Sequence, residues 1–369
     1  MKTRLFTPTD RFFGGCAMRI VLGIRRTRVL LTTLGVAMLF TASAAGQTLA
    51  PTKDAGDRER SERSCGTKTQ ARDLTAVFSF DPSTGRFPEG IAISQTGAIY
   101  LGVQATGEIL RLGPQGRFSI VADLDQGNGF MLGLAVDADG ILYAALDSFD
   151  PATHGVWRID PHGTARLIAA MPTSSLPNAL AFDLDGNLYI TDTFRGAVWK
   201  LSTSGELKIW LASPLLEGTG ALFGVAAGAN GLAFFEEDQE GERVDQEGSV
   251  SLYVANTDRG TIIRIPVLTD GSAGVPTVFA QHESLVSADG IQFDIRGNLY
   301  VAVNLKNTLA RIDRCGRVEI LVEALDRPAS LAFGTTGGEK KLLYVTTFGF
   351  ESGKHLLRVD VGIRGLPLP

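Results

Sequence analysis

The chain has 369 residues, of which 44% are hydrophobic and 20% charged, and its formal net charge at neutral pH is −5. This balance is typical of a globular protein and supplies ample apolar material for a core. An acidic chain is a poor candidate for binding nucleic acid, so we expect no such partner. The charge is compatible with cations or neutral small molecules as ligands.

Residues 1–45 predict a secretory signal peptide. A basic stretch, RIVLGIRRTR, leads into the apolar run VLLTTLGVAMLF, and the small residues Ala42, Ser43 and Ala44 follow. This is the order of a signal's basic, apolar and cleavage regions. The apolar run is shorter than the roughly 20 residues that a bilayer-spanning helix needs, although an uncleaved anchor is the alternative. We therefore expect a secreted or periplasmic protein that makes no membrane contact once its signal is removed.

Removal of the signal would change the net charge to −11, because residues 1–45 hold seven Lys/Arg and one Asp. Residues 46–75 are polar and charged, which is typical of a disordered linker. The mature chain keeps two cysteines, Cys65 and Cys315. A disulfide between them is possible in an oxidising compartment, and two unpaired thiols are the alternative.

Six copies of one unit fill residues 76–369, the predicted domain. The fifth copy, for example, reads DGIQFDIRGNLYVAVNLKNTLARIDRCGRVEILVE. Each copy holds four β-type runs between turns, and the first turn is a strong hairpin signal such as Asp-Gly. A tyrosine recurs early in the second run of each copy: Tyr100, Tyr143, Tyr189, Tyr253, Tyr300 and Tyr344. Four antiparallel strands repeated in this way predict an all-β, six-bladed β-propeller.

The sixth copy lacks its outer strand, because only IRGLPLP follows HLLRVDVG. The segment AVFSF, residues 76–80, precedes the first copy and is the simplest replacement. Pairing of this strand with the sixth copy would close the ring and remove open sheet edges. The fourth copy carries an acidic insertion, EEDQEGERVDQEGS, which we expect to be a solvated hairpin extension.

One repeat position carries the candidate chemistry. The residue that enters the first strand of each blade lies at the mouth of the central channel, so the six equivalents should converge on the axis. In chain order this ring column reads Glu89, Leu132, Asn178, Asn230, Asp289 and Ala329. Two carboxylates and two carboxamides, without His or Cys, are the donors of a hard cation.

The residues therefore predict a Ca²⁺ site formed by Glu89, Asn178, Asn230 and Asp289, at which Mg²⁺, Mn²⁺ or Zn²⁺ could substitute. The alternative is that four unrelated polar residues begin these strands, because Asn and Asp favour turns.

The segments PEG, PN, NGLAF and DGIQFDIRGNLYVA resemble those of the gluconolactonase and senescence-marker-protein (regucalcin) family of six-bladed propellers. The resemblance extends over about residues 76–362. In that family one Glu, two Asn and one Asp bind a divalent cation at the channel mouth, and the resemblance assigns these places to Glu89, Asn178, Asn230 and Asp289. It also implies that Asp289 is the catalytic base or nucleophile. The expected function is that of a metal-dependent hydrolase for a small-molecule lactone or ester.

One segment departs from the sugar-lactone members of the family. They carry Arg two residues before the third-blade Asn and Asp directly after it, where this chain has Leu176 and Ala179. The departure argues against an aldonolactone substrate. Two other functions stay open: a non-catalytic binding propeller with a structural calcium, and a strictosidine-synthase-like enzyme that uses a channel glutamate without a metal ring.

Four further residues are candidates for a role near the site. Asp192 and Asn256 follow the second strands of the third and fourth blades, where they could surround the metal or contact substrate; hydrogen bonding within strand-end turns is the alternative. His282 and His154 lie in loops predicted on the same face. Their imidazoles titrate near neutrality and could assist proton transfer.

Overall fold

The predicted repeats fold as six four-stranded sheets, each ordered from an inner to an outer strand, which confirms the all-β, six-bladed propeller. The architecture comes from a computed structural model that describes residues 72–81, 84–113, 116–124, 129–237, 250–353 and 355–367. The predicted signal peptide, the linker up to residue 71 and the acidic insertion over 238–249 lie outside these ranges. None of the helices within them is long and apolar enough to span a membrane.

Nearly all of the regular structure is strand. Only two short 3-10 helices are described, Glu283–Leu285 and Gly337–Lys341. The strands are β1 (Arg72–Phe78), β2 (Pro88–Ile93), β3 (Ile99–Val103), β4 (Glu108–Leu112), β5 (Phe118–Asp123), β6 (Phe130–Val136), β7 (Leu142–Asp147), β8 (Gly155–Ile159), β9 (Ala165–Ala170), β10 (Pro177–Phe182), β11 (Leu188–Asp192), β12 (Ala197–Leu201), β13 (Leu207–Ala212), β14 (Ala229–Glu236), β15 (Val250–Asn256), β16 (Thr261–Pro266), β17 (Thr277–Gln281), β18 (Ala288–Phe293), β19 (Leu299–Val303), β20 (Thr308–Ile312), β21 (Val318–Val322), β22 (Pro328–Phe333), β23 (Leu342–Thr347) and β24 (Leu356–Asp360).

The ring is closed by the N-terminal strand, as predicted. Blades 1 to 5 are β2–β5, β6–β9, β10–β13, β14–β17 and β18–β21, whereas blade 6 is ordered β1-β24-β23-β22. Strand β1 pairs antiparallel with β24, with Ala76 opposite Leu357. The strand begins at Arg72, four residues before the predicted start, because Arg72 already pairs with Asp360. Closure through the first and last strands leaves no open edge between blades 6 and 1.

The core lies between neighbouring blades. One cluster joins Phe235 and Tyr253 of blade 4 to Ile291, Phe293 and Leu299 of blade 5, and all five side chains are buried. Similar clusters join other neighbouring blades, including blades 5 and 6. The sheet of each blade therefore packs against a neighbouring blade on both faces. This packing stabilises the ring as a whole and fixes the inner strands around the channel.

In blades 2 and 5 the recurring tyrosine donates a hydrogen bond to the aspartate of the turn between the first two strands. In blade 5 the buried Asp294 accepts hydrogen bonds from the backbone N–H groups of Arg296 (2.8 Å) and Asn298 (3.0 Å). The Tyr300 hydroxyl donates to the other carboxylate oxygen of Asp294, at 3.0 Å. The hairpin is thus joined to its second strand by a buried, charge-assisted hydrogen bond.

We predict that Tyr300→Phe lowers the free energy of unfolding by about 1–3 kcal/mol, because it removes one of the two hydrogen bonds that the buried Asp294 Oδ2 accepts, the other coming from Asn298 Nδ2 at 2.8 Å. Urea denaturation followed by circular dichroism measures the change. Tyr100→Phe is the matched control. Tyr100 occupies the same repeat position, but the turn of its blade carries Ser94 and its hydroxyl makes no hydrogen bond within the described ranges. Equal effects of the two substitutions would contradict the prediction.

Candidate metal centre

A β-bulge positions the ring-column residue in every blade. In blade 1, Pro88 pairs with Val103 and Ile91 with Leu101, so three residues of β2 span the same interval as two residues of β3. The same register shift occurs at the start of β6, β10, β14, β18 and β22. A bulge releases a residue from the regular ladder and re-aims its side chain. Glu89, Asn178, Asn230 and Asp289 each occupy this bulge.

Glycines after the ring-column residues bring neighbouring blades into close contact. A Cβ on Gly90 would overlap the carbonyl oxygen of Leu132, one on Gly133 that of Asn178, and one on Gly231 that of Asp289. Only glycine allows such an approach of two backbones. These contacts bring the column residues of blades 1 and 2, 2 and 3, and 4 and 5 next to each other.

The two carboxyl groups of the ring interact unfavourably when no cation is present. Burial, and then the negative charge of Asp289, raise the pKa of Glu89 well above its usual value. Burial also raises the pKa of Asp289 to about 7, partly offset by a hydrogen bond from the Asn230 side chain. The Glu89 Oε2 atom is buried and has no hydrogen-bond partner among the described residues. A positive charge placed between the two groups would remove both penalties.

The two amide side chains are oriented by threonines that the sequence analysis did not identify. Asn178 Nδ2 donates to Thr193 Oγ1 at 3.0 Å, and Asn230 Nδ2 donates to Thr257 Oγ1 at 3.1 Å. Each threonine hydroxyl then donates to a backbone carbonyl of the next blade, Thr193 to Ala229 and Thr257 to Ala288. Because the amide nitrogens are engaged, the amide oxygens are the atoms that these side chains can offer to a ligand.

The ring residues fit a hard divalent cation. They supply carboxylate and amide oxygens, one carboxylate oxygen is buried without a partner, and the amides are held with their nitrogens turned to the protein. Nowhere in the described part of the chain do three or more His, Cys, Asp or Glu side chains cluster as metal ligands. A cation at this ring would therefore need the two amide oxygens as well as the two carboxylates.

Asp192 and Asn256 have their hydrogen-bonding groups occupied by loops. Asp192 is fully buried; its carboxylate accepts from the Leu176 N–H (3.0 Å) and from Trp199 Nε1 (3.0 Å). Asn256 is also fully buried and donates through Nδ2 to the carbonyls of Leu215 and Glu217, both at 3.0 Å. Within the strand-end turns, the N–H groups of Arg195 and Arg259 also donate to Asp192 Oδ1 (3.3 Å) and Asn256 Oδ1 (3.2 Å). Asp192 additionally fixes the backbone two residues before Asn178.

The two candidate histidines form their hydrogen bonds with residues outside the ring column. His154 is buried, with Nδ1 3.0 Å from the backbone of Ser148 and 3.5 Å from Asp147 Oδ1. His282 is exposed, and its Nδ1 accepts from the N–H of Ser284 at 3.1 Å. Neither imidazole forms a hydrogen bond with a ring-column side chain in the described structure. Their roles in proton transfer stay predictions.

Cys315 lies in the turn between β20 and β21 and is disulfide-bonded. Its partner lies outside the described residues, so the pairing with Cys65 also stays a prediction.

Comparison with known proteins supports the predicted resemblance. Residues 239–349 match the family described as SMP-30/Gluconolactonase/LRE-like region. Lactonase drp35 of Staphylococcus haemolyticus is 26% identical over 176 residues, which are 46% of this chain and 48% of the lactonase. The chain thus spans about half the length of this relative.

Solved structures with the same fold cover most of the chain. A luciferin-regenerating enzyme has a TM-score of 0.61 at 18% identity, covering 80% of this chain and 98% of its own. Regucalcin, a calcium-binding protein from Agrobacterium tumefaciens, has a TM-score of 0.56 at 17% identity, covering 77% and 92%. A gluconolactonase from Xanthomonas campestris has a TM-score of 0.55 at 19% identity, covering 84% and 99%.

Identities this low establish the fold alone. Together, the matched segment and the shared fold confirm that this six-bladed propeller resembles the gluconolactonase and regucalcin family.

Proposed function

We propose that the protein is a divalent-metal-dependent hydrolase of lactones or esters. The observation that carries this proposal is the convergence of four oxygen donors from four blades, among which Glu89 Oε2 is buried without a partner. Ca²⁺ is the cation that we expect, with Mg²⁺, Mn²⁺ or Zn²⁺ as alternatives. The lactonase relative supports the proposed hydrolysis, and the calcium-binding structural neighbour supports the proposed metal.

In the proposed mechanism Asp289 handles the proton. A bound cation would polarise the substrate carbonyl and make a nearby water more acidic. The Asp289 carboxylate accepts a proton from a water molecule while the water oxygen bonds to the carbonyl carbon. When the carbon–oxygen ester bond then breaks, Asp289 returns the proton to the departing alkoxide. Asn178 and Asn230 hold neutral oxygens in place, and Glu89 supplies the second negative charge.

Export is part of the proposal. The predicted signal over residues 1–45 supports it, and so does the disulfide bond at Cys315, because disulfides persist mainly in oxidising compartments. Outside the cytoplasm, calcium is also abundant enough to fill a site of moderate affinity.

Replacement of Glu89 by Gln should weaken metal binding by at least about tenfold, because the ring loses one of its two negative charges and its unpartnered carboxylate oxygen. Calorimetric titration of chelator-treated protein with Ca²⁺ measures the change in Kd. Glu206→Gln is the control, since Glu206 is exposed in a turn at the far end of blade 3. Wild-type affinity in Glu89→Gln would remove the basis of the metal site.

Replacement of Asp289 by Asn should lower kcat on any hydrolysed lactone or ester by at least about 100-fold, because an amide oxygen can contact a cation but cannot accept the proton. Steady-state kinetics in saturating Ca²⁺ measure the change in kcat. Asp185→Asn is the control, because Asp185 is exposed in a turn. A wild-type kcat would show that Asp289 is not the base. Bound metal without turnover of any lactone or ester, in the wild type, would instead favour a binding propeller.

The cation-free protein should lose stability as the pH rises from about 4 to about 7. In this range the folded chain retains protons on Glu89 and Asp289, whose pKa values are raised, whereas the unfolded chain has released them near pH 4. Because the folded state binds more protons, each increase in pH favours unfolding.

Thermal unfolding with chelator at about pH 5 and about pH 8 tests this pH dependence. Wild type and Glu89→Gln are compared so that other titrating groups cancel, and the loss should be larger in the wild type. Excess Ca²⁺ should reduce the difference. An equal or smaller loss in the wild type would contradict the prediction.

A further inference from the structure

The channel mouth is polar on one side and apolar on the other. The ring column carries oxygen donors in blades 1, 3, 4 and 5, but Leu132 in blade 2 and Ala329 in blade 6, both buried. These two residues flank Glu89, because Gly90 packs against Leu132 and the Thr346 hydroxyl, which accepts from the N–H of Ser330, donates to the Glu89 carbonyl at 2.7 Å. The anionic end of the ring is therefore bordered by hydrocarbon.

A second repeat position is apolar in blade 6 alone, since by register the other five blades carry Gln104, Asp147, Thr193, Thr257 and Asn304 there. The residue after the second strand faces the start of the next blade, as Thr193 and Thr257 do, and Asn304 Nδ2 likewise donates to the carbonyl of Pro328 at 3.1 Å. In blade 6 this position is Phe348, because Thr347 pairs with Pro328 just as Asp192 pairs with Pro177. The repeat places Phe348 next to the start of β2, where Glu89 lies.

Phe348 belongs to an aromatic cluster on this side of the mouth. Its ring centroid lies 5.5 Å from that of Phe350, which in turn lies 4.9 Å from that of Phe87, two residues before Glu89. Phe350 is 61% exposed. Covering a large, water-exposed aromatic ring with an apolar ligand is favourable, because apolar surface is removed from water. This ring lies beside the candidate metal centre.

The loop that carries Phe350 is held in place. Asp326 Oδ2 accepts hydrogen bonds from the N–H groups of Glu351 and Ser352, both at 2.6 Å, and the Asp326 carbonyl accepts from Gly349 at 3.1 Å. The exposed ring is thus presented by a fixed backbone, which lowers the entropy cost of using it for binding.

A polyhydroxylated substrate would find few free hydrogen-bond donors in the ring column. One amide hydrogen of Asn178 is bonded to Thr193, and Asn230 bonds both to Thr257 and to Asp289. On the blade 6 and blade 2 side, Ala329 and Leu132 offer no side-chain donor or acceptor. Hydroxyl groups buried against them would lose their hydrogen bonds to water without replacement, which is costly.

We infer that the substrate carries an apolar alkyl or aryl portion next to its ester or lactone group, and that this portion lies against the cluster of Phe87, Phe348 and Phe350. The inference rests on the proposed hydrolase function and specifies its substrate class. The carbonyl group takes the polar side of the mouth, and the hydrocarbon portion covers the aromatic cluster.

The test is a series of γ-lactones with alkyl chains of increasing length, compared with glucono-1,5-lactone, in saturating Ca²⁺. We expect KM to fall with chain length, by up to about fourfold for each methylene group that becomes buried. Phe350→Ser should flatten this dependence. Leu184→Ser, which removes a 76% exposed side chain at the opposite end of blade 3, should preserve it. Faster hydrolysis of gluconolactone than of every alkyl lactone would overturn the inference.

A binding experiment separates this inference from the proposed hydrolase function. If the wild-type protein hydrolyses none of the lactones or esters, the hydrolase proposal fails. Calorimetry with alkyl lactams of the same chain lengths then tests binding of the alkyl portion to the aromatic cluster. Affinity that rises with chain length and loses this dependence in Phe350→Ser supports the inference. Affinity that is independent of chain length, or equally dependent in both proteins, overturns it.

Discussion

The electrostatic repulsion between Glu89 and Asp289 is the constraint around which the channel mouth is built. Burial alone disfavours both charges, and their proximity further disfavours the ionised Glu89. A flexible chain would relieve the strain by moving one blade. The closed ring opposes this, because β1 joins blade 6 to the N-terminal end of the domain and glycine contacts hold four of the six column positions against the next blade. Under the proposed function, closure would turn this local repulsion into affinity for a divalent cation.

The bulges provide the ring with side chains at little cost in backbone hydrogen bonding. A residue inserted into a strand leaves an unpaired N–H, which is unfavourable when buried. In blade 3 the N–H of Ala179 donates to Thr191 Oγ1, and in blade 6 that of Ser330 donates to Thr346 Oγ1, both at 2.9 Å. Threonines on the second strand thus satisfy the backbone while the bulged side chain is free to face the channel.

The sequence predicts the blades, the closing strand and the ring column because each follows from a repeat. The repeat does not predict which residues of the long connections contact the blades. Asp192 and Asn256 occupy equivalent places, but the partners of Asn256 are carbonyls of residues 215–217, in the long connection between β13 and β14. The early start of β1 was missed because RDLT has no apolar alternation. The orienting threonines, in contrast, could have been found from the shared DT and NT pairs that follow β-strand residues in blades 3 and 4.

The apolar neighbours of Glu89 link metal binding to substrate choice. Asp289 has an amide neighbour, Asn230, whose hydrogen bond partly lowers its pKa. Glu89 has Leu132 on one side and Ala329 on the other, neither of which can donate to its carboxylate, so Oε2 stays unpartnered. The same two residues remove polar partners from that side of the mouth. A ring with amides at these positions would stabilise Glu89 without a cation and would also favour hydroxylated ligands. If the proposed function holds, the hydrocarbon border would strengthen the demand for a cation and would at the same time select against polar substrates.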